Sequence, residues 1–511
     1  MEPILKVVNS LFLLLGCLSL VVITNAQKNI PNDVRQVINK ARHKEDLLTV
    51  IHRYSQNKQD NLKLKAAFFL IANMDVHFSQ DYYWADSLGR RIDFNELNYS
   101  SFKASVRAFD SLKLARGKVH PVPIVYYDAD TITSSFLISN IDNAFKVWDQ
   151  QSASFDDFCE YILPYRISVE PIQDWRSIYH EKFIYLRDNY GSLNLKLLIR
   201  DINNWFVCMY NLEKRIEPLP RLGALQILHR RKGFCEDVAS LSSFALRTAG
   251  FASSVDIVPF WATSSGSHTL NYTSKINGDV THFDVLFKSD SIGKYDGQFA
   301  MVREPGKVYR QTFSKQKNAI ANQVDESQIP EGILQSKCIA DVTGEYWQVC
   351  GFSAMVKPRT PVFSCVLNHL KWQPVAGSVS TANGVVSFDK MSVGVVYLPM
   401  YYINGKLRPA AYPVAVGGNQ TKELVPDLTS TRTVKLDEQE YYLRIKTGKK
   451  YRLYYWNSKW KQINTKKTSE KATSLVFENV PKNALLLLLP EEPTKKERPF
   501  IITDEGKRVW F

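Results

Sequence analysis

Long apolar runs, cysteine and metal-ligand spacings are all scarce in this 511-residue sequence, and each scarcity excludes something. Beyond the N-terminus no stretch of about 18 apolar residues occurs, the length a helix needs to cross a bilayer, so no membrane span is expected once the N-terminal segment is removed. The five leucines at 485–489 are far too short a run. Of the seven cysteines, six follow Ala26: Cys159, Cys208, Cys235, Cys338, Cys350 and Cys365. So few in so long a chain make no disulfide scaffold, although an even number permits bridges, and Cys338, Cys350 and Cys365 lie close enough in sequence to leave one open. No CxxC pair occurs, which argues against zinc. His77, His120, His180 and His229 show no metal-ligand spacing and no Gly-rich phosphate loop is present, so neither metal nor cofactor is expected.

What is present is a globular composition, with 45% hydrophobic and 23% charged residues. The chain is too long for one core, because single cores stop growing near about 250 to 300 residues. A net charge of +14 raises the question of anionic partners, but the charge is dispersed. Its densest run, Lys449 to Lys467, interleaves lysines with Tyr451, Tyr454, Tyr455, Trp456 and Trp460. Such alternation gives a strand one solvated and one buried face, so nucleic acid is not expected as a partner.

The N-terminus reads as an export signal: Lys6, an apolar stretch over residues 11–23, and Thr24-Asn25-Ala26 before Gln27. Cleavage after Ala26 is favoured. The alternative is Leu14-Leu15-Gly16-Cys17, which resembles a bacterial lipoprotein box with Cys17 lipidated, but apolar residues follow where a polar tether is usual.

An α+β multidomain architecture follows from the patterning. After the signal at 1–26, residues 27–215 read as a helical domain, on the strength of KLKAAFFLIANM at 63–74 and of Ile141, Ala144, Phe145 and Trp148 on one helix face. Residues 216–320 read as a helix feeding an antiparallel sheet, with strands at 253–261, 268–276 and 280–287 and a hairpin signal at Asn277-Gly278. Gly250 falls where a left-handed helix C-cap is expected. The polar residues 321–336 read as a linker, and two β-sandwich-like domains follow at 337–430 and 431–511. These two look like an internal repeat. LNHLKWQPV and then VVSFDKMSVGVVYLP match LYYWNSKWKQI and then SLVFENVPKNALLLLLP, with Trp372 preceding Phe388 and Trp460 preceding Phe477 at nearly equal spacing. Their tryptophans could stack on sugar rings, but at strand spacing core packing is favoured.

The most informative segment is residues 229–250, HRRKGFCEDVASLSSFALRTAG. Gly233 interrupts what precedes it, Glu236 and Asp237 suit a first helical turn, and Val238, Leu241, Ala245 and Ala249 keep an apolar face. Cys235 is thereby expected at a helix N-terminus, where free backbone amides and the helix dipole favour a thiolate. A cysteine nucleophile also needs a base, and His268, at the head of a strand after a Gly/Ser-rich turn, is the candidate.

Glycine, cysteine at a helix start, then a sheet carrying histidine with an acid on the next strand resembles the transglutaminase-like superfamily, a papain-like cysteine fold. The resemblance implies a nucleophile at Cys235 in GFCED, a proton shuttle at His268 in GSHTLN and an orienting acid at Asp284 in HFDVLF. A two-residue turn at Asn277-Gly278 would put Asp284 on the face opposite His268; a three-residue turn including Asp279 would restore it, with Asn271 held in reserve for the orienting role. Leu270 stands where the family usually has an aromatic residue. The wider chain is similar to exported transglutaminase-like proteins of Gram-negative bacteria, through KLKAAFFLIANM, FCEYILPYRISVEPIQDWR, KVYRQTF and GKKYRLYYW with LVFENVPKNALLLLL. The leading reading is an exported, periplasmic or cell-surface cysteine enzyme acting on amide bonds of peptide, cell-wall peptide or glycopeptide, with glycan contact left open through the tryptophans of the β domains. The alternative is an inactive glycan- or protein-binding scaffold. Trp175, Arg176 and Glu170 are expected either beside the cysteine or, better, as a buried Trp with an Arg-Glu pair. Trp205 is a core residue with an outside claim to an oxyanion site.

Overall fold

The computed structural model describes residues 30–187, 193–209, 218–274, 280–285, 304–418, 420–439, 443–469 and 473–511. The segment expected to be an export signal, Cys17 and the expected Asn277-Gly278 turn lie outside the described residues. Helices and strands are mixed, with several separate sheets, and no helix among the described residues is long and apolar enough to cross a membrane. The described residues form two compact units. The first runs to Val255 and takes in those within 271–290 and 312–315; the second takes in those within 256–270, 291–311 and 316–511.

The first unit begins with helices Asn32–Lys40, Lys44–Ser55 and Asn61–Asn73, and continues through Ser134–Val147, which Thr133 caps by accepting the Phe136 N–H at 3.3 Å. Val34, Val50, Leu70, Ile71, Leu137 and Ile141 bury into one cluster with Phe158 and Ile162. This region is not wholly helical, as its sequence pattern suggested. β1 (Phe78–Ala85), β2 (Arg91–Ile92) and β3 (His120–Tyr127) form an antiparallel sheet in the order β2-β1-β3. Pro121 and Pro123 explain the difference: proline cannot continue a helix and is tolerated on an edge strand, which β3 is.

The FCEYILPYRISVEPIQDWR segment is fastened by buried cations. Arg166 donates from Nε (2.8 Å) and Nη2 (2.5 Å) to Asp128, and from Nη1 to the carbonyls of Phe78 and Ser168. Trp175 is buried with Nε1 donating to the Tyr165 carbonyl. The expected Arg176–Glu170 pair does not form: Glu170 accepts the N–H groups of Ile167 and Ser168, and Arg176 turns to Asn140 and the carbonyls of residues 162–164. A loop bent by Pro164 exposes consecutive carbonyls that a guanidinium fork can gather.

Two short parallel strands, β4 (Val207–Cys208) and β5 (Lys232–Gly233), bring residues 207–208 beside the start of the Cys235–Thr248 helix. That helix is buried from Asp237 to its end. Its serines are small enough to be enclosed and bond locally: Ser242 to the Val238 carbonyl at 2.9 Å, Ser243 with Ser253 at 3.2 Å. The helix closes in a Schellman motif, with Phe251 N–H on the Leu246 carbonyl, Gly250 N–H on the Arg247 carbonyl and Gly250 at φ +85°. After β6 (Ser253–Val258), β7 (His268–Ser274) pairs with β8 (Val280–Phe283).

In the second unit β6 pairs with β9 (Tyr309–Gln311), and β9 with β10 (Ile339–Asp341). Arg310 bonds Asp256 bidentately across the β6–β9 pair at 2.9 and 2.8 Å. Residues 321–336, expected to be a linker, contribute Ala321, Ile329 and Leu334 to a buried cluster. Short 3₁₀ turns aim these isolated apolar residues inward, and a turn has no long period for a sequence pattern to show.

Strands β11 (Val349–Met355), β12 (Pro361–Asn368), β13 (Lys371–Val379), β14 (Val385–Ser392) and β15 (Val395–Ile403) pair as β11-β14 and β13-β12-β15, with β16 (Lys406–Pro409), β17 (Val414–Val416) and β18 (Thr421–Glu423) extending the second sheet. β19 (Asp427–Asp437), β20 (Lys450–Trp456), β21 (Trp460–Lys467), β22 (Ser474–Lys482) and β23 (Leu486–Pro490) repeat the plan as β19-β22 and β21-β20-β23, extended by β24 (Pro499–Ile502) and β25 (Arg508–Trp510). The repeat reaches the irregularities. Cys350–Phe352 opposite Met391–Phe388 is the same register break as Arg432–Val434 opposite Val480–Phe477. Lys390 and Asn479, each two residues past the matching phenylalanine, both take left-handed backbone, at φ 51° and 56°. The basic, aromatic-rich hairpin alternates as its sequence suggested, with Tyr451, Leu453 and Trp456 buried. Trp456 packs against Trp372 at 5.3 Å and Trp460 at 5.2 Å.

Candidate functional site

Cys235 is the first residue of its helix, with Phe234 as N-cap in extended backbone. Phenylalanine has no oxygen to cap with, so Asp237 does the work: Oδ2 accepts the Phe234 N–H at 2.7 Å and Oδ1 accepts the Leu222 N–H at 3.0 Å. The cysteine is half-buried, and its Sγ donates to Glu236 Oε2 at 3.3 Å. Glu236 in turn meets Arg221 Nη1 at 3.3 Å, which draws off carboxylate charge beside the thiol. Helix amides and dipole therefore favour a thiolate at Cys235, while the two carboxylates of the first turn oppose one.

Cys208 was not singled out by its sequence context. It pairs with Gly233, two residues before Cys235. Burial, then the charges of Asp284 and Glu236, push its thiol up to about 11. Those causes place Asp284 and Glu236 within electrostatic reach of the same spot. No sequence signal could have found this, because a two-residue parallel pair has no pattern of its own. Beside it a pocket of about 270 Å³ is lined by Ile202, Asn203, Phe206, Val207, Cys208, Val238 and Val285, with Val238 one turn along the helix from Cys235.

The β7–β8 register decides the question of faces. Asn271 pairs with Phe283 and Tyr272 with His282, so Asp284 shares the face of His282 and Tyr272. That register is neither of the two expected from a turn at Asn277-Gly278, which lies outside the described residues. Asp284 is buried in the first unit. His268 belongs to the second unit, where it is buried and stacks on Trp261 at 6.3 Å. Asn271 is committed elsewhere: its Nδ2 donates to the Ala239 carbonyl at 2.8 Å and to Ser243 Oγ at 3.1 Å, fastening the Cys235 helix to the strand. Leu270 packs with Val258, Trp261 and Val308. Trp205 is covered by Lys182 at 5.0 Å.

All six described cysteines are free thiols. Burial first pushes Cys159 up to about 12, and it raises the fully buried Cys365 well above the usual range. Among the described residues no cluster of metal-ligating side chains is found. No protein-family model matches the sequence, and no curated protein is similar to it.

Proposed function

We propose that the chain is an exported cysteine enzyme of transglutaminase-like type that cleaves amide bonds, with Cys235 as nucleophile, His268 as proton shuttle and Asp284 as its orienting acid. The single observation that carries this is the position of Cys235 at the head of a buried helix, half-exposed, with the cap supplied by Asp237 so that the thiol is spared that role. In the reaction Sγ gives its proton to His268 and attacks the carbonyl carbon. The C–N bond breaks, the amine leaves with that proton, and a thioester remains on Cys235. Water then adds, His268 taking its proton, and the acid departs as the thiol is restored. Hydrolysis is favoured over cross-linking, since water is abundant outside the cytoplasm and the sequence shows no sign of a second site for an amine. The pocket by Cys208 and Val238 would receive an apolar side chain of a peptide or glycopeptide substrate. The repeated β units act as two β-sandwich-like domains that contact glycan or protein, and the chain works in the periplasm or at the cell surface.

The test is turnover of peptide p-nitroanilides with mass spectrometry of the quenched enzyme. An acyl adduct on Cys235, lost together with activity in Cys235→Ala, is expected. Equal release by wild type and Cys235→Ala overturns the proposal.

One observation favours the alternative, an inactive scaffold: Leu270 is a core residue rather than an aromatic wall. A scaffold would bind glycan or protein equally well with Cys235→Ala, whereas the enzyme would hold its substrate longer in that variant.

A further inference from the structure

The β repeat places the same sheet face in two different settings. In both copies the central hairpin is bulged three residues past the matching tryptophan, at Val375 and at Ile463, so Phe363 matches Arg452, Cys365 matches Tyr454 and Gly377 matches Thr465. In the first copy this face is covered: Phe363 and Cys365 are buried in the cluster that holds Ile320, Ala321 and Leu334 of the 3₁₀ turns, and a Cβ on Gly377 would stand 3.0 Å from Ile320. In the second copy it is cationic. Tyr451 and Leu453 enter their own core, so alternation turns Lys450, Arg452 and Tyr454 the other way, and pairing sets Lys467, Thr465 and Gln462 beside them. Lys450, Lys467 and Gln462 are exposed, and Arg452, Tyr454 and Thr465 half-buried. Lys450 stands directly opposite Lys467, a like-charge pair that costs stability. Lys449 meets Glu492 at 3.9 Å, and Glu491 follows β23 beside Lys450, which leaves the patch positive.

We propose that this outer face of β20 and β21 docks an acidic glycan, its carboxylates set among Lys450, Lys467 and Arg452 and its hydroxyls bonded by Tyr454, Thr465 and Gln462. A polyanion there relieves the repulsion between the two opposed lysines. Gln462 donates to Thr465 Oγ1 at 3.2 Å, which holds the two polar groups together on the face. A nucleic acid is less well served, because single strands bind by stacking bases on open aromatic rings, whereas Trp456 is packed by Trp372 and Trp460 and Tyr454 is half-buried. A bilayer needs apolar side chains to insert, and Leu487 and Leu489, paired with Tyr454 and Arg452, are buried and half-buried. The inference rests on the reading of the β units as domains that contact glycan, and it names the charge of that glycan and the copy that takes it. Chemistry at Cys235 does not enter.

The test is fluorescence anisotropy of a labelled oligogalacturonate titrated with the full chain at constant ionic strength, with a neutral dextran oligomer and a single-stranded oligonucleotide of equal charge as comparisons. The oligogalacturonate is expected to bind saturably and more tightly than either, and roughly tenfold more weakly to the double variant Arg452→Gln, Lys467→Gln. Neither of those side chains makes a hydrogen bond among the described residues, so the double variant keeps its sheet. Lys58→Gln with Lys103→Gln removes the same charge from exposed sites of the first unit and should bind as wild type does. Oligogalacturonate affinity unchanged by the β-face variant, or lowered equally by both double variants, overturns the face while leaving the β units as glycan contacts. Tighter binding of the oligonucleotide overturns glycan as the occupant, and dextran bound in preference to oligogalacturonate overturns the acidic assignment alone. Absence of binding to either oligosaccharide overturns the assignment together with the reading it rests on.

Discussion

A Cβ at Gly233 would stand 2.6 Å from Oδ2 of Asp237, the oxygen that takes the Phe234 N–H and starts the Cys235 helix. Glycine two residues before the cysteine is therefore required by a close approach to the capping carboxylate. Gly233→Ala should cost about 1–3 kcal/mol through the displaced cap and crowded contacts. Asp237→Asn, which keeps the shape and loses the charge, should cost about 0.5–2 kcal/mol. Denaturant midpoints measure both, and a Gly233→Ala protein as stable as wild type would contradict this account of the glycine.

Thiol reactivity should be uneven. Cys208 at about 11 is a thiolate to only about one part in a thousand at pH 8, and Cys159 at about 12 to less. In the native protein both, with Cys365, should resist a brief iodoacetamide pulse that labels Cys235. Peptide mapping checks this, with Cys350→Ser removing a further half-exposed thiol.

His77 should make the first unit acid-sensitive. It is fully buried, its Nε2–H donates to the Phe313 carbonyl at 2.7 Å, and burial holds it down to about 3. The unfolded chain protonates near 6.5 and the folded chain does not, so stability is complete above about 6.5 and falls as pH drops toward 3, by up to about 1.4 kcal/mol per unit. His77→Gln should flatten that slope. Glu304 in the second unit has the opposite sign: burial pushes it up to about 7, so its contribution is complete below about 4.5 and fades as pH rises through 7. Hydrogen exchange resolved by segment separates the two.

The β repeat predicts paired responses at Lys390 and Asn479, both left-handed at the same register break. Valine at either should cost about 1–2 kcal/mol, and Lys390→Gly should be neutral or stabilising. Unlike melting-temperature shifts for the two valine variants would argue that the break is not shared.

The parts legible in the sequence were those with a period or a strong local signal: the helix at Cys235, the Gly250 cap, and the β repeat through its tryptophans and phenylalanines. β1 and β3 do not stand out in the sequence because helical patterns dominate on either side, and Pro121 and Pro123 mark an edge strand only once its pairing is known. Ile329 and Leu334 were missed because 3₁₀ turns bury single residues without periodicity. At the candidate site the face of Asp284 depended on a turn length that sequence left open, and Cys208 reached its place through a two-residue pairing.

The alkylation rate of Cys235 against pH, in wild type and His268→Ala, tests the central claim most directly. The proposed enzyme predicts a rate that stays high well below the ordinary thiol range near 8.5 and falls at least tenfold in His268→Ala. A Cys235 that titrates as an ordinary thiol, at a rate indifferent to His268→Ala, would contradict it.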